Sequence, residues 1–313
     1  MSQTLKTRQP LTLDEARHHL TGPIASVHTP FLRDGELDEA SLAAQIGRYL
    51  EAGSRTILMT VGNSHYFCLS DDEIARVTRI VCREAAGRAM VVAADRMHAT
   101  RRAVEFARFA REEGADLVMC MPPDWNNSCT PATLAEHYAT VAAEWPVMIV
   151  TNLMGPRGDA FGMEALRLSL DLSARIVAIK DDVCGLFAQK MTVHFRERAA
   201  IFAGGLKLNH LNIAPYGADG YMSTFIGFCP EITRRYWSCI EAGDMAGAWR
   251  ITETYETPLF ELMSSFPGDW NAGWHGCLEL FGIGKRWRRP PYYSLNDEEM
   301  ERLKDFFVSR RLL

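Results

Sequence analysis

Short apolar segments alternate with longer amphipathic segments along most of this chain, and this alternation limits its possible folds more than any other feature. Each apolar segment is a nearly continuous hydrophobic run, which is typical of parallel strands covered by helices on the outside. This alternation therefore predicts repeated βα units. The predicted strands are 22–30, 55–61, 89–95, 116–121, 146–152, 175–181, 199–205 and 218–224.

The segments between these strands carry signals of helices. Residues Ser70 to Glu73 have the sequence of a capping box. Thr130 is a capping residue, and Pro131 after it suits the first turn of a helix. A final helix is predicted to begin at Asn296. Helical spacing also predicts two apolar faces, one in an early helix and one in a long helix near the C-terminus. Their residues are Leu42, Ile46, Tyr49 and Leu50, and Ala248, Ile251, Tyr255, Leu259 and Met263.

Eight predicted strands indicate an α/β protein with a closed TIM (β/α)8 barrel. The main rival is an open doubly wound sheet, but no G-x-G-x-x-G follows the first strand and the sequence contains no P-loop. We therefore predict a helical N-terminal extension at 1–21, a barrel at 22–229, and a C-terminal helical region at 230–313 packed on the barrel.

Composition narrows the class of protein. The chain has 313 residues, of which 47% are hydrophobic and 23% charged, and its formal net charge is -5 with both signs intermixed, so we expect no nucleic-acid partner. No apolar run reaches the roughly 20 residues of a spanning helix, and the first 20 residues lack the apolar centre of a signal peptide. We expect a cytoplasmic protein with no membrane partner. Dispersed cysteines and histidines predict no metal site.

Lys180 is the first candidate for chemistry. Side chains at the carboxyl ends of barrel strands converge on one mouth, where reactions take place, and Lys180 follows four apolar residues near the end of the sixth predicted strand. A lysine at this point can simply extend into water. Alternatively, it can be a desolvated amine whose pKa is lowered, so that the neutral form attacks a carbonyl group and forms a Schiff base.

Six segments of the chain match a known pattern: TPFLRDGELDEASL, GNSHYFCLSDDE, MPPDWN, VTNLMGPRG, VAIKD and YGADGYMST. Together they resemble the dihydrodipicolinate synthase / N-acetylneuraminate lyase family of Schiff-base aldolases, over nearly the whole chain. The resemblance implies that Lys180 forms a covalent imine with pyruvate or another 2-oxo acid, without a separate cofactor. Because family members are commonly homotetramers, it also implies a homodimer or homotetramer.

Both phenols of the family's proton relay are missing. The tyrosine at the end of strand five aligns with Thr151, and the tyrosine after strand four aligns with Trp125. A threonine hydroxyl is far less acidic than a phenol, and an indole only donates. We therefore expect little or no condensation of pyruvate with aspartate semialdehyde.

Other groups near the predicted mouth are candidates to carry protons instead. His65 and Tyr66 follow strand two, and Asp95 ends strand three. Histidine is a suitable base near neutral pH. Each also has a simpler interpretation: a loop side chain for His65, a packed core residue for Tyr66, and a partner of Arg96 for Asp95.

The resemblance also implies substrate-binding residues. Asn63 and Ser64 stand in the family's carboxylate-binding loop, and Arg157 resembles an arginine that receives a second substrate's carboxylate. Gly204 and Gly205 fit close approach of the backbone to a ligand, and a plain turn is the alternative. Leu206 stands where the family often has a polar or acidic group, which predicts a more apolar substrate than a sugar acid.

Three functions remain open. The first is a carbon-carbon or carbon-oxygen lyase that acts on a 2-oxo acid, with an aldehyde as a possible second substrate or product. The second is a hydratase-aldolase of aromatic or apolar unsaturated 2-oxo acids, with Trp125 stacking on the substrate. The third is a non-catalytic protein that binds a 2-oxo acid for regulation. Retention of Lys180 argues against the third, because an unused buried amine carries a desolvation cost.

Overall fold

The computed structural model describes residues 9–313, except for the side chain of Trp125. Eight parallel strands follow one another around a closed barrel, in which β8 pairs with β1. This confirms the predicted TIM barrel. The strands are β1 (Gly22–Ser26), β2 (Thr56–Leu58), β3 (Met90–Ala94), β4 (Leu117–Cys120), β5 (Val147–Val150), β6 (Ile176–Asp181), β7 (Ala200–Ala203) and β8 (Gly220–Met222).

All eight strands lie within their predicted ranges and are shorter than predicted, and every strand except β6 ends before its predicted last residue, where the chain leaves the sheet at the mouth. β1 illustrates the cause. The prediction extended it to residue 30. Beyond Val27, however, the backbone no longer pairs with a neighbouring strand, and the His28 amide donates to the side-chain oxygen Oε1 of Gln45 at 2.9 Å. The apolar runs therefore continue past the sheet and supply residues to the mouth.

Helices α2 to α9 follow the eight strands in order and form the outer layer. The predicted caps of α3, α5 and α13 are confirmed, since the side chains of Ser70, Thr130 and Asn296 each accept a hydrogen bond from a first-turn amide. The helices are α1 (Leu13–Leu20), α2 (Glu39–Glu51), α3 (Asp71–Ala85), α4 (Thr100–Glu112), α5 (Pro131–Ala142), α6 (Asp159–Leu172), α7 (Gly185–Phe195), α8 (Lys207–Ile213), α9 (Pro230–Glu241), α10 (Met245–Ile251), α11 (Thr257–Ser264), α12 (Asp269–Leu280) and α13 (Asp297–Ser309).

The prediction of one long helix near the C-terminus was wrong in one respect. A π-helical segment, Thr252–Glu256, separates α10 from α11. Pro258 has no amide to donate to the preceding turn, and the hydroxyls of Thr252 and Thr254 donate to the carbonyls of Ala248 and Arg250 at 3.0 and 2.6 Å. These features widen the helix.

Helix α1 covers the amino-terminal end of the barrel. The Thr56 hydroxyl donates to the His19 carbonyl at 2.8 Å, and Arg17 pairs with Asp219 at 3.1 Å. Of the predicted extension at 1–21, residues 1–8 lie outside the described residues. Between residues 9 and 313, no helix is both long enough and apolar enough to cross a membrane.

The junction between β8 and β1 generates a prediction about stability. A Cβ atom added at Gly220 would collide with the carbonyl oxygens of Leu20 and Gly22, which are backbone atoms and cannot move alone. We expect Gly220→Ala to lower the free energy of unfolding by about 1–3 kcal/mol, because the junction must shift to accept the methyl group. Urea denaturation followed by circular dichroism measures this change.

The control is Gly47→Ala within α2, where a Cβ would meet nothing within 4 Å. That substitution should raise the free energy of unfolding by about 0.5–1 kcal/mol, because alanine is the better helix former. Equal stability of Gly220→Ala and the unaltered protein would contradict the close packing of this junction.

Candidate active site

A cavity of about 710 Å³ opens at the carboxyl ends of the strands. Both polar and apolar residues line it. The polar residues at the strand ends include Ser26, His28, Thr60, Asn63, Lys180 and Asp182. The apolar wall includes Phe67, Met97, Met119, Met121, Leu153, Leu206, Met222, Phe260, Trp270 and Trp274.

Lys180 lies near the end of β6 and its side chain reaches this cavity. The residue is only 4% exposed. Its amine contacts both carboxylate oxygens of Asp182, which also lines the cavity. The lysine is therefore paired with a carboxylate, but the pair faces a cavity large enough for a small substrate.

Thr151, which follows β5, supports this pair from behind. It is fully buried and does not line the cavity. Its hydroxyl oxygen accepts from the Asp182 amide at 3.0 Å, and its proton is directed to Asp181 Oδ1 at 3.3 Å. Asp181 also accepts from the Cys184 amide at 3.2 Å, and burial raises the pKa of its carboxyl group. Thr151 thus holds the turn that carries Asp182.

Gly204, directly after β7, leaves room for this pair. A Cβ at Gly204 would collide with Asp182 Oδ1 and Lys180 Nζ. A Cβ at Gly205 would collide with the amide nitrogen of Asn209. Both glycines line the cavity, as does Leu206, and the predicted approach of this backbone to a ligand stays a prediction.

The loop after β2 brings Asn63 but not Ser64 to the cavity. Ser64 is fully buried, and its hydroxyl donates to the Val27 carbonyl at 2.9 Å and accepts from the Thr60 amide at 3.0 Å. The Asn63 amide donates to Thr60 Oγ1 at 3.0 Å, and its side chain donates to Ser26 Oγ at 3.1 Å. Ser64 therefore shapes the loop, while the side chain of Asn63 faces the cavity.

His65 and Tyr66 point away from the cavity. His65 Nε2 lies 2.7 Å from Nε2 of His275 in α12, and burial lowers the pKa of His65 to about 3. Burial also lowers the pKa of His275 well below its usual range. Tyr66 is fully buried, and burial raises the pKa of its phenol. Neither residue lines the cavity with Lys180.

His28, by contrast, does line the cavity, although it was not predicted as a site residue. Its Nδ1 lies 3.1 Å from the Ser26 carbonyl oxygen, which can only accept, so Nδ1 carries the proton. Burial lowers the pKa of His28 well below its usual range. Its ring stacks on Trp274 with 4.7 Å between centroids. His28 is therefore neutral, with Nε2 as its unprotonated nitrogen.

Arg157 is committed to partners outside the cavity. Its guanidinium contacts the Asp124 carboxylate, donates to the Cys129 carbonyl at 3.1 Å, and lies 3.9 Å from the centre of the Phe161 ring. Asp95 accepts from the Arg96 amide at 2.7 Å and does not line the cavity. The predicted stacking of Trp125 concerns a side chain outside the described residues.

Besides His28, two further groups of cavity residues were not predicted from the sequence. Asp182 was overlooked because a carboxylate beside a lysine in sequence also fits a solvated turn; its position two residues after Lys180 was the available signal. Phe260, Trp270 and Trp274 lie on α11 and α12, more than 75 residues from Lys180 along the chain. No local pattern predicts that these helices reach across the mouth.

The buried histidine pair generates a prediction about pH. Because the pKa of folded His65 lies below that of an unfolded histidine, the unfolded chain binds a proton that the folded protein excludes between about pH 6.5 and pH 3. The free energy of unfolding therefore falls as pH falls through this window. Replacing His65 by glutamine should reduce that slope by about 1 kcal/mol per pH unit between about pH 5 and pH 6.5. Urea denaturation at several pH values measures the slope.

The control is the same substitution at His194, which lies exposed near the end of α7. If His65→Gln and His194→Gln give the same slope as the unaltered protein, His65 is not held neutral by burial.

Comparison with known proteins identifies the relatives of this barrel. The model of the dihydrodipicolinate synthetase family matches residues 19–309. A protein of Rhizobium meliloti named an uncharacterized DapA-like lyase is 25% identical, over 90% of this chain and 96% of its own length. A 4-hydroxy-tetrahydrodipicolinate synthase of Chloroherpeton thalassium is 28% identical, over 79% of this chain and 81% of its own length.

A solved structure shares the fold. The dihydrodipicolinate synthase of Oceanobacillus iheyensis superposes with a TM-score of 0.82 at 20% identity, and the match covers 96% of this chain and all of that one. At this identity the likeness establishes the barrel architecture alone. The family model, in contrast, spans nearly the whole chain, including every strand and the Lys180 site. This chain belongs to the dihydrodipicolinate synthetase family.

Proposed function

We propose that this protein is a Schiff-base-forming lyase that acts on pyruvate or another 2-oxo acid through Lys180. One observation carries the proposal: the amine of Lys180 is buried and faces a cavity at the carboxyl end of its strand, in a barrel of this family. The neutral form of such an amine is the nucleophile that attacks a carbonyl group. The names of the relatives, a lyase and a synthase, agree with this class of reaction.

The chemistry follows from the imine. Once Nζ is joined to C2 of the 2-oxo acid and protonated, it withdraws electrons from the neighbouring carbon. The C3-C4 bond can then break, or, after C3 loses a proton, the C4-O bond can break. Alternatively, the enamine can attack an aldehyde through C3. Lysine supplies the electron sink, so the proposed reaction uses no separate cofactor. We also propose a homodimer or homotetramer as the assembly, in line with the family.

Polar groups at the ends of β1 and β2 are suited to the substrate's carboxylate. Ser26, Thr60 and Asn63 line the cavity together with Lys180. Hydroxyl and amide donors can bind a carboxylate there without a second cation. We propose Asn63, Gly205 and Leu206 as substrate-binding residues. Ser64 and Thr151 would act by holding these elements in position.

Efficient dihydrodipicolinate synthesis is not part of the proposal. Among the described residues that line the cavity there is no tyrosine and no arginine. The synthase relay needs phenols, and the arginine expected to receive a second carboxylate, Arg157, is paired with Asp124. Roles for His65 and Tyr66 in proton transfer stay predictions, and their burial outside the cavity does not favour them.

The apolar wall supports a second candidate, a hydratase-aldolase of aromatic or apolar unsaturated 2-oxo acids. Phe260, Trp270 and Trp274 close the cavity from the C-terminal helices, and Met119 and Met121 line it from β4 and the loop after it. Aromatic and methionine side chains suit an apolar or aromatic group. A non-catalytic protein that binds 2-oxo acids is the alternative of another class, and imine formation distinguishes it.

Borohydride trapping tests the proposal. The protein is incubated with pyruvate and with larger 2-oxo acids, reduced with borohydride, and weighed by mass spectrometry. We expect one reduced 2-oxo acid per chain, and peptide mapping should find it on Lys180. Lys180→Ala should lose the adduct, because no other lysine among the described residues lines the cavity.

Two other lysines serve as controls for this experiment. Lys190 pairs with Asp159 at 2.9 Å on the surface, and Lys207 pairs with Glu256 at 2.9 Å with its side chain fully buried. Lys190→Ala should keep the adduct, and the Lys207 peptide should carry none. Absence of any adduct across the panel would exclude both enzymatic functions and leave the binding protein.

The apolar wall predicts a substrate preference. Steady-state cleavage assays with pyruvate-releasing substrates should favour those with an aryl or alkyl group over hydroxylated ones. Trp270→Ala should raise KM for the apolar substrates by about 10-fold, the effect of losing about 1.4 kcal/mol of contact, and should leave pyruvate trapping unchanged. Robust condensation of pyruvate with aspartate semialdehyde, or equal preference for sugar acids, would contradict this assignment.

A further inference from the structure

From the contacts of Lys180 we infer that Asp182 is a catalytic acid and base of this site, and that its carboxylate carries the protons that a phenol carries elsewhere in the family. The inference rests on the proposed function, because it concerns the formation of the Lys180 imine. It assigns a role to a residue that no family motif in this chain marks.

The first support is contact with the reacting atom. Both carboxylate oxygens of Asp182 contact the amine of Lys180, the atom that would attack the substrate. The Asp182 side chain is 24% exposed, and it lines the cavity beside the amine. The carboxylate can therefore reach both the lysine and a substrate bound to it.

The second support is the way the surrounding backbone holds Asp182. Its amide donates to Thr151 Oγ1, and the Thr151 proton is directed to Asp181. Gly204 leaves the space into which the carboxylate and the amine fit, since a Cβ there would collide with both. The threonine at the tyrosine position thus acts as a positioning residue for the carboxylate.

The third support is the small number of alternatives. Among the described cavity-lining residues, the side chains that titrate are His28, Lys180 and Asp182. His28 Nδ1 already donates to the Ser26 carbonyl, and the ring stacks on Trp274. Outside the cavity lining, Asp181 and Cys184 are the titratable neighbours of Asp182, and Asp181 is engaged by backbone amides. Asp182 alone is in contact with the amine.

The proposed step is balanced in protons and electrons. The Lys180 ammonium gives one proton to the Asp182 carboxylate, and the neutral amine attacks C2 of the 2-oxo acid while the C2-O double bond becomes a single bond. The new C2-O⁻ takes a proton from the attached nitrogen. Asp182 then returns its proton to the C2 hydroxyl, which leaves as water as the nitrogen lone pair forms the C2-N double bond. The products are a protonated imine, water and the Asp182 carboxylate.

A timed trapping experiment on Asp182→Asn tests this role. The full-length protein is mixed with pyruvate and quenched with borohydride at increasing times, so that the rate of imine formation is measured. We expect Asp182→Asn to slow that rate by about 100-fold to 10,000-fold, the range for loss of a general acid-base group. A purely electrostatic role predicts the opposite, because removing a carboxylate favours the neutral, reactive amine. An unchanged or faster rate would overturn the inference.

Chemical rescue provides the second variant. Asp182→Ala leaves room beside Lys180, and added formate or acetate should restore part of the rate, whereas chloride at equal ionic strength should not. Rescue requires a carboxylate that moves protons, and a merely structural role would not produce it. A slow Asp182→Ala variant that neither carboxylate restores would identify Asp182 as a positioning residue and overturn the inference.

The matched control is Asp159→Asn, which removes a carboxylate from the exposed pair with Lys190 and should not change the rate. Circular dichroism checks that every variant is folded. The two proposals fail in different ways: no adduct in the unaltered protein refutes the Schiff-base function, whereas a normal adduct formed equally fast by the Asp182 variants refutes only the role of Asp182.

Discussion

The contact between the Lys180 amine and the Asp182 carboxylate is the interaction on which the account of this site depends. A buried lysine carries a desolvation cost, and a neighbouring carboxylate offsets it. Burial alone does not create a reactive amine. Lys207 forms a similar pair with Glu256, but both side chains are almost completely buried, and the Lys207 amine lies 4.8 Å from the centre of the Phe225 ring. The difference is access, since only the Lys180 pair of these two opens on the cavity.

The barrel and the C-terminal helices both contribute residues to the cavity. The strand ends and the loops after them supply polar residues, including Lys180 and Asp182, where a 2-oxo acid would be bound. Helices α11 and α12 supply Phe260, Trp270 and Trp274 to the apolar wall. This division would separate the proposed chemistry at Lys180 from the apolar wall that would distinguish substrates.

Sequence patterns predicted the barrel and the position of Lys180 at its mouth, because both are local signals. A continuous apolar run marks each strand, and the lysine directly follows such a run. The patterns did not predict the bulge at Thr252–Glu256, where threonine hydroxyls and Pro258 compete with helical hydrogen bonds. They also missed His28 and the tryptophans, because their positions depend on contacts between distant segments. The family resemblance placed Thr151 at the position of a tyrosine, but its hydrogen bonds to the Asp181–Asp182 turn are visible only in three dimensions.

A crystal structure of the protein soaked with pyruvate tests the central claim most directly. The account predicts continuous electron density from Lys180 Nζ to C2 of the ligand, with the ligand's carboxylate near Asn63 and Thr60 and an Asp182 oxygen within hydrogen-bonding distance of the new imine. An intact Lys180–Asp182 pair, with pyruvate absent or bound elsewhere at saturating concentration, would contradict it.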